Sequence, residues 1–242
     1  MAGIGLGCAL AAGCASDAER SGKEAGPLGS MTRGRRASPA REPRSGAAPA
    51  APADATPPAD SAPPRGDDLV DVSAAIPDAV LDLRYATADN FTGAVLYPKA
   101  VCKLRRAVAA RLAKAADALR PQGRRLLLWD CYRPSSIQER FWKLVPDPRY
   151  VANPAVGSRH SRGAAVDLAL VDAAGRPVPL PTKFDEFSEA AHRDRALAGP
   201  RGAEARRLAD AMRAAGFIGM PTEWWHFDAP EAREYALSNE PL

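Results

Sequence analysis

The sequence predicts an α+β domain, a mostly antiparallel central sheet flanked by helices, preceded by a disordered N-terminal tail. Three observations predict it. All fifteen aromatic residues fall at or after Tyr85. Two later segments repeat apolar residues every three or four positions, and short alternating or apolar runs lie around them in irregular order, without a strand–helix–strand rhythm.

The aromatic distribution sets the domain boundary. A stretch lacking aromatics and poor in aliphatics cannot bury enough apolar surface to offset its ordering entropy. The core therefore begins near Asp67, and residues 67–242 suffice for one self-sufficient domain. Residues 16–66 are Ala, Pro, Gly, Ser and scattered charge, with nine prolines, and read as a disordered, partly extended linker or a tail without function.

Within the domain, Asp67 to Tyr85 alternates loosely and suggests two short strands around Pro77. Val101, Leu104, Val108, Leu112, Ala116 and Leu119 mark an amphipathic helix, ended by Pro121-Gln122-Gly123. Arg125 to Asp130 is a short apolar run, read as a buried strand, and Pro134 to Trp142 reads as a helix opened by Pro and Ser. Ala164 to Leu170 alternates as a strand next to a turn at 172–175. Glu204 to Ala215 is a second amphipathic helix closed by Gly216, and Trp224 to Phe227 reads as a final strand.

Charge excludes one class of partner. The net charge is +4 and the pI about 9.0. Residues 1–66 carry eight Lys and Arg against six Asp and Glu, and the remainder carries 25 against 23. The folded part is thus close to balanced and has no basic block interleaved with aromatics, so nucleic acid is not an expected ligand. Arg33 to Arg36 lies in the tail and reads as solvated linker.

The segments that carry chemistry are Gly157-Ser-Arg-His160-Ser-Arg-Gly163-Ala-Ala-Val-Asp167 and Glu223-Trp-Trp-His226-Phe. The chain has three histidines, and two of them are here. A turn at Gly163 can fold His160 back towards Asp167, and His226 would come from a neighbouring strand. Two imidazoles and a carboxylate are the ligand set of a catalytic rather than a structural zinc, with one position left open. Such a zinc supplies Lewis acidity, and hydrolysis then needs a base, for which Glu223 is placed. On a regular strand residues 223 and 226 face opposite ways, so a break is expected after Pro221, with the strand starting near Trp224. From spacing alone, a structural His160 beside a Gly turn is an equally good reading.

At these residues the sequence resembles the VanX-type D-alanyl-D-alanine dipeptidases, zinc enzymes related more distantly to D,D-carboxypeptidases and the hedgehog domain. The resemblance runs from about Leu69 to Phe227. It rests on Leu83-Arg-Tyr-Ala-Thr-Ala-Asp-Asn-Phe-Thr-Gly93, Trp129-Asp-Cys-Tyr-Arg-Pro134, the Ser158 to Asp167 segment, Phe184-Asp185, and Glu223 to Phe227, in shared order. It implies one zinc on His160, Asp167 and His226, lying at the sheet face, with Glu223 as general base. It implies that Arg133 donates to the tetrahedral intermediate, that Tyr85 and Asp185 hold the substrate ammonium, and that Ser158 lines the site. The other readings are a salt bridge closing the strand–helix turn for Arg133 and a helix N-cap for Asp185, with residues 186–196 helical. His192 reads as a surface residue.

Cys102 and Cys131 lie where the first helix and the catalytic-loop strand could pack. A disulfide there would stiffen the loop of Arg133, and two buried free thiols are the other reading. Residues 2–15 are apolar, uncharged and rich in small residues, yet too short to span a bilayer. Ala11-Ala12-Gly13-Cys14 is similar to a bacterial lipoprotein processing site, which would lipidate Cys14 and tether the domain to a membrane. Met1-Ala2-Gly3 lacks the basic opening of a signal peptide, so an Ala/Gly-rich tail is the competing reading. Export would put the enzyme in wall-peptide turnover rather than cytoplasmic antibiotic resistance. The rival activities are a carboxypeptidase or endopeptidase on longer wall peptides and a non-catalytic zinc-binding domain. The presence of Asp185, and of Glu223 with Arg133, argues against each in turn.

Overall fold

The computed structural model describes residues 68–242. The leader at 1–15 with Cys14 and the whole linker at 16–66 lie outside the described residues.

The strands are β1 (Leu69–Asp71), β2 (Val80–Leu81), β3 (Lys103–Arg105), β4 (Arg124–Asp130), β5 (Ala165–Asp172), β6 (Ile218–Gly219) and β7 (His226–Asp228). The helices are α1 (Arg106–Leu119), α2 (Ser135–Leu144), α3 (Arg193–Ala198) and α4 (Ala203–Ala214). Five strands form one sheet in the order β2-β4-β5-β7-β6, and β1 pairs with β3 in a separate ribbon. Every pairing is antiparallel except β2 with β4. The fold is α+β, as the irregular order of elements predicts.

The central strand β5 explains the layering. Its residues Ala165 to Val171 are all buried, which marks a strand covered on both faces. By the period-two rule Val166, Leu168 and Leu170 share one face, and they belong to the main core with Val108, Leu112 and Leu119 of α1 and Leu208 and Met212 of α4. Ala109, Ala115, Ala116 and Ala211 let the two helices lie close to each other and to the sheet. Asp167 takes the opposite face, together with Ala165 and Ala169. A second cluster holds Tyr85, Tyr97, Tyr132, Ile137 and Phe141, of which Tyr85 and Phe141 line the cleft that contains Asp167.

The structure shifts three predicted boundaries. Residues 101–105 are extended rather than helical: Leu104 pairs with Val70, and the Arg105 N–H donates to the Gly163 carbonyl at 2.9 Å. An apolar residue at 104 serves a buried strand as well as a helix, so periodicity could not distinguish them. Residues 186–196 form a short 3-10 turn and only the start of α3. The final strand begins at His226, because Trp224 and Trp225 form a turn. Here the Trp224 N–H donates to the Ala191 carbonyl at 3.1 Å, outside the sheet, while the Trp225 carbonyl accepts from Leu168 at 3.1 Å.

Candidate active site

The site follows from strand register. Asp130 of β4 stands opposite Asp167 of β5, and Asp167 stands opposite His226 of β7. Opposed residues on neighbouring strands point to the same face, so three polar side chains form one row across the sheet. An irregularity between Leu128 and Asp130 resets the β4 register at this point, a device that re-aims side chains beside functional sites. All three residues are buried. Burial of such groups is costly unless they are paired.

His160 completes the row from outside the sheet. It opens a 3-10 turn over His160–Arg162 that ends at Gly163, whose φ is 67°. A side chain at 163 would be strained at that φ, and a Cβ there would lie 2.4 Å from Leu69 Cδ2. The turn brings His160 Nε2 to 3.1 Å from His226 Nδ1 and 3.3 Å from Asp167 Oδ2, while His226 Nδ1 is 2.9 Å from Asp167 Oδ1. These three ligand atoms all lie within 4.8 Å of one another.

The outward nitrogens decide what the inward ones offer. His160 Nδ1 is 2.7 Å from the Cys131 carbonyl, which can only accept, so that nitrogen carries the proton. His226 Nε2 is 2.9 Å from Asp228 Oδ1. With both outer nitrogens donating, each neutral ring turns a lone pair towards Asp167, the arrangement found behind metal-bound histidines. Tetrahedral ligands at roughly 2.0–2.1 Å from a zinc would be about 3.3–3.4 Å apart, close to the observed spacings. The residues fit a divalent cation. Burial opposes charge on His226, but hydrogen bonds to Asp167 and Asp228 overcome it and raise its pKa to about 10. Burial likewise opposes the Asp167 charge, and His160 and His226 still hold its carboxyl well below the usual range.

Glu223 lies in the irregular entry that the sequence requires, after Pro221 and before β7. Its Oε2 is 3.9 Å from His226 Nδ1. Burial raises its pKa to about 7, with Asp167 adding to the effect against the neighbouring imidazoles. Arg133 makes the salt bridge of its second reading. Its Nε and Nη2 donate to Asp130 Oδ2 at 3.0 and 2.6 Å, and Nη1 donates to Gln138 Oε1 at 2.7 Å. Those bonds use three of the five guanidinium N–H groups, and the side chain lines the cleft beside His160 and Glu223. The guanidinium is sandwiched near the Phe141 and Tyr85 rings, 4.6 and 5.3 Å from their centroids.

At the other end of the cleft, the Tyr85 hydroxyl donates to Asp185 Oδ2 at 2.9 Å. Asp185 has φ 55°, the one non-glycine residue with positive φ among the described residues. It is therefore not a helix N-cap. Asp tolerates the left-handed region better than most residues, and such outliers gather at functional sites. Burial and the Asp167 charge push its carboxyl well above the usual range. Ser158 also lines the cleft, and its Oγ accepts from the His160 N–H at 3.2 Å, so it braces the metal-ligand turn. His192 is half-buried just before α3 and takes no part in the cleft lining.

Cys102 and Cys131 are joined in a disulfide, with their Cα atoms 5.3 Å apart. The bond ties the segment before β3 to the residue whose carbonyl orients His160. Sequence reasoning missed Asp130, Asp228 and Arg193. The spacing of Asp228, two residues from His226 on a strand, was a usable signal for a shared face. Asp130 and Arg193 are identified by tertiary contacts that spacing does not encode.

A family model described as D-ala-D-ala dipeptidase, of peptidase family M15, matches residues 65–240. The chain is 40% identical over 171 residues to a D-alanyl-D-alanine dipeptidase of Escherichia coli K12, covering 70% of this chain and 89% of that protein. It is 32% identical to one of Enterococcus faecium, covering 64% and 89%, and 33% identical to one of Streptomyces coelicolor, covering 62% and 85%. With the match spanning all but the last two described residues, the chain belongs to the D-ala-D-ala dipeptidase family of metallopeptidases.

Proposed function

We propose that the chain is a zinc-dependent dipeptidase that hydrolyses D-alanyl-D-alanine to two D-alanine molecules. One observation carries the reading. The cleft joins an inward-facing His160, Asp167 and His226 set, with Glu223 beside it, to the Tyr85–Asp185 pair at its other end. That pair suits an ammonium held at a fixed distance from the reacting carbonyl, which is the demand a dipeptidase makes of its substrate.

His160, Asp167 and His226 would hold the zinc, which supplies Lewis acidity at the scissile carbonyl. Glu223 takes the proton from the attacking water and passes it to the departing amine. Its burial beside the His160, Asp167 and His226 set places the carboxylate where it can make both transfers. Arg133 presents the part of its guanidinium that lines the cleft to the oxygen that gains negative charge, and Asp130 and Gln138 hold it there beforehand. Asp185, assisted by Tyr85, binds the substrate ammonium, and Ser158 lines the same cleft.

For the cellular setting we propose export, with lipidation at Cys14 tethering the domain to a membrane, and a role in wall-peptide salvage. The small-residue leader supports this, as does the Cys102–Cys131 disulfide, since such bonds persist in oxidising compartments. Cell fractionation with intact-mass measurement tests it: a cytosolic protein retaining residue 1 overturns it.

The activity is tested by following D-alanine release from the dipeptide, with a chelated sample and Glu223→Ala alongside. Loss of activity in both controls is expected. Release from a wall pentapeptide but not from the dipeptide would reassign the protein to the carboxypeptidases. Inactivity on both substrates with zinc bound would favour a non-catalytic domain.

A further inference from the structure

The loop that presents Glu223 has little sheet pairing to fix it, since residues 220–225 lie between β6 and β7. Its main-chain carbonyls converge on one side chain. Arg193 Nε donates to the Met220 carbonyl at 3.0 Å, and Nη2 donates to the carbonyls of Glu223 at 3.2 Å and His226 at 2.7 Å. The Arg193 backbone N–H donates to the Pro221 carbonyl at 2.8 Å. Its guanidinium carbon sits 4.3 Å from the centroid of the Phe227 ring.

The fit around this group is tight. A Cβ built on Gly219 would come within 2.3 Å of Arg193 Cζ, so glycine at 219 leaves the space the guanidinium fills. Among the described residues no carboxylate lies within ion-pair distance of Arg193. A half-buried cation held by carbonyl dipoles and a ring face, without a carboxylate, is a costly choice for stability. Burial lowers its pKa to about 10, with the Glu223 charge partly offsetting that, so it stays charged at neutral pH. Lysine could not replace it, because a point charge lacks the planar fork that reaches separate carbonyls together.

We propose that Arg193 is a positioning residue that fixes the Glu223 carboxylate against the His160, Asp167 and His226 centre by binding the loop carbonyls on both sides of it. The inference rests on the reading of Glu223 as base. It assigns Arg193 no contact with substrate. Its effect is therefore expected in turnover rather than in substrate affinity.

The test uses the full chain loaded with zinc and two variants that disturb the clamp differently. Arg193→Lys removes the fork, and Gly219→Ala keeps the arginine but obstructs its seat. In both, kcat on D-alanyl-D-alanine is expected to fall about 10- to 100-fold, as misplacement of a catalytic group by about 1 Å does. KM should stay within about twofold, given that the Tyr85–Asp185 pair is untouched, and each variant should still bind one zinc per chain when zinc is saturating. Hydrogen exchange should quicken across residues 220–228 and stay unchanged in α1 and α4. A kcat within twofold of the parent in either variant that holds its zinc overturns the assignment. So does a loss of activity that tracks only lost zinc or global unfolding. If the parent itself releases no D-alanine, the dipeptidase reading fails first and takes this assignment with it.

Discussion

The two ends of the cleft are built by different means. At the metal end, Asp167 and His226 stand on paired strands, Asp130 continues the row, and each His ring is oriented from behind. At the amine end, Tyr85 comes from a 3-10 turn and Asp185 from a loop in a left-handed conformation. Rings hold that end instead: Tyr85 packs at 4.7 Å from Phe141 and 5.9 Å from Phe184 between centroids. Bond-making chemistry needs sub-ångström placement and gains from a sheet, whereas an ammonium tolerates a softer, loop-borne carboxylate. Loops are also where substrate preference changes most easily within a family.

Substitutions can break this contrast. The largest effect is expected from Glu223→Gln, which removes the base without changing side-chain size. Steady-state kinetics should show kcat reduced by about 10³-fold or more, with KM little changed and zinc retained. A KM rise matching the loss in kcat would mean Glu223 also serves the amine end.

Asp185→Asn is expected to do the reverse, raising KM about 10- to 100-fold, the value of a lost hydrogen bond to a charged group. Metal content by elemental analysis should be unaffected, and zinc loss in this variant would show that the two ends are not separable. Asp228→Ala should leave substrate affinity alone but weaken zinc binding about 10-fold to 100-fold, read by competition with a chelator, because it frees the outer nitrogen of His226.

The smallest effect is a pH dependence confined to the amine end. Burial and Asp167 keep the Asp185 carboxyl protonated to higher pH than usual, while a bound ammonium needs the carboxylate. Below that raised pKa a proton must leave on binding, so KM should fall as pH rises, by at most about tenfold per unit, and level off above it. In Asp185→Asn this acid-side slope should disappear from a pH series of KM.

The metal end was far more legible in the sequence than the scaffold that holds it. His160, Asp167, Glu223 and His226 belong to short segments in which residue type and spacing already limit the chemistry, and the opposed faces of a strand forced a break before β7. Strand pairing itself was not legible: that Asp130 would face Asp167 depends on register between segments 37 residues apart in the chain. Residues 101–105 were misread for a related reason. The partners that make them a strand, Leu69 to Asp71, lie more than 30 residues upstream, and a helical period fits their apolar positions equally well. Asp185 was legible as a carboxylate but not as a left-handed residue, since nothing local distinguishes it from an N-cap.

The Cys102–Cys131 bond acts on a state that has no cleft at all. It closes a covalent loop across a separation of 29 residues, with β3, α1 and all of β4 inside. In a chain-entropy model, closing such a loop disfavours the unfolded ensemble by roughly 3–4 kcal/mol. Even in the unfolded chain, Asp130 and Arg133 remain leashed near the segment that becomes β3. Refolding then begins with the end of β4 already close to the start of β3, so the cross-link shortens the search that seats the Arg133 loop against the segment whose Lys103 carbonyl accepts from the Tyr132 N–H.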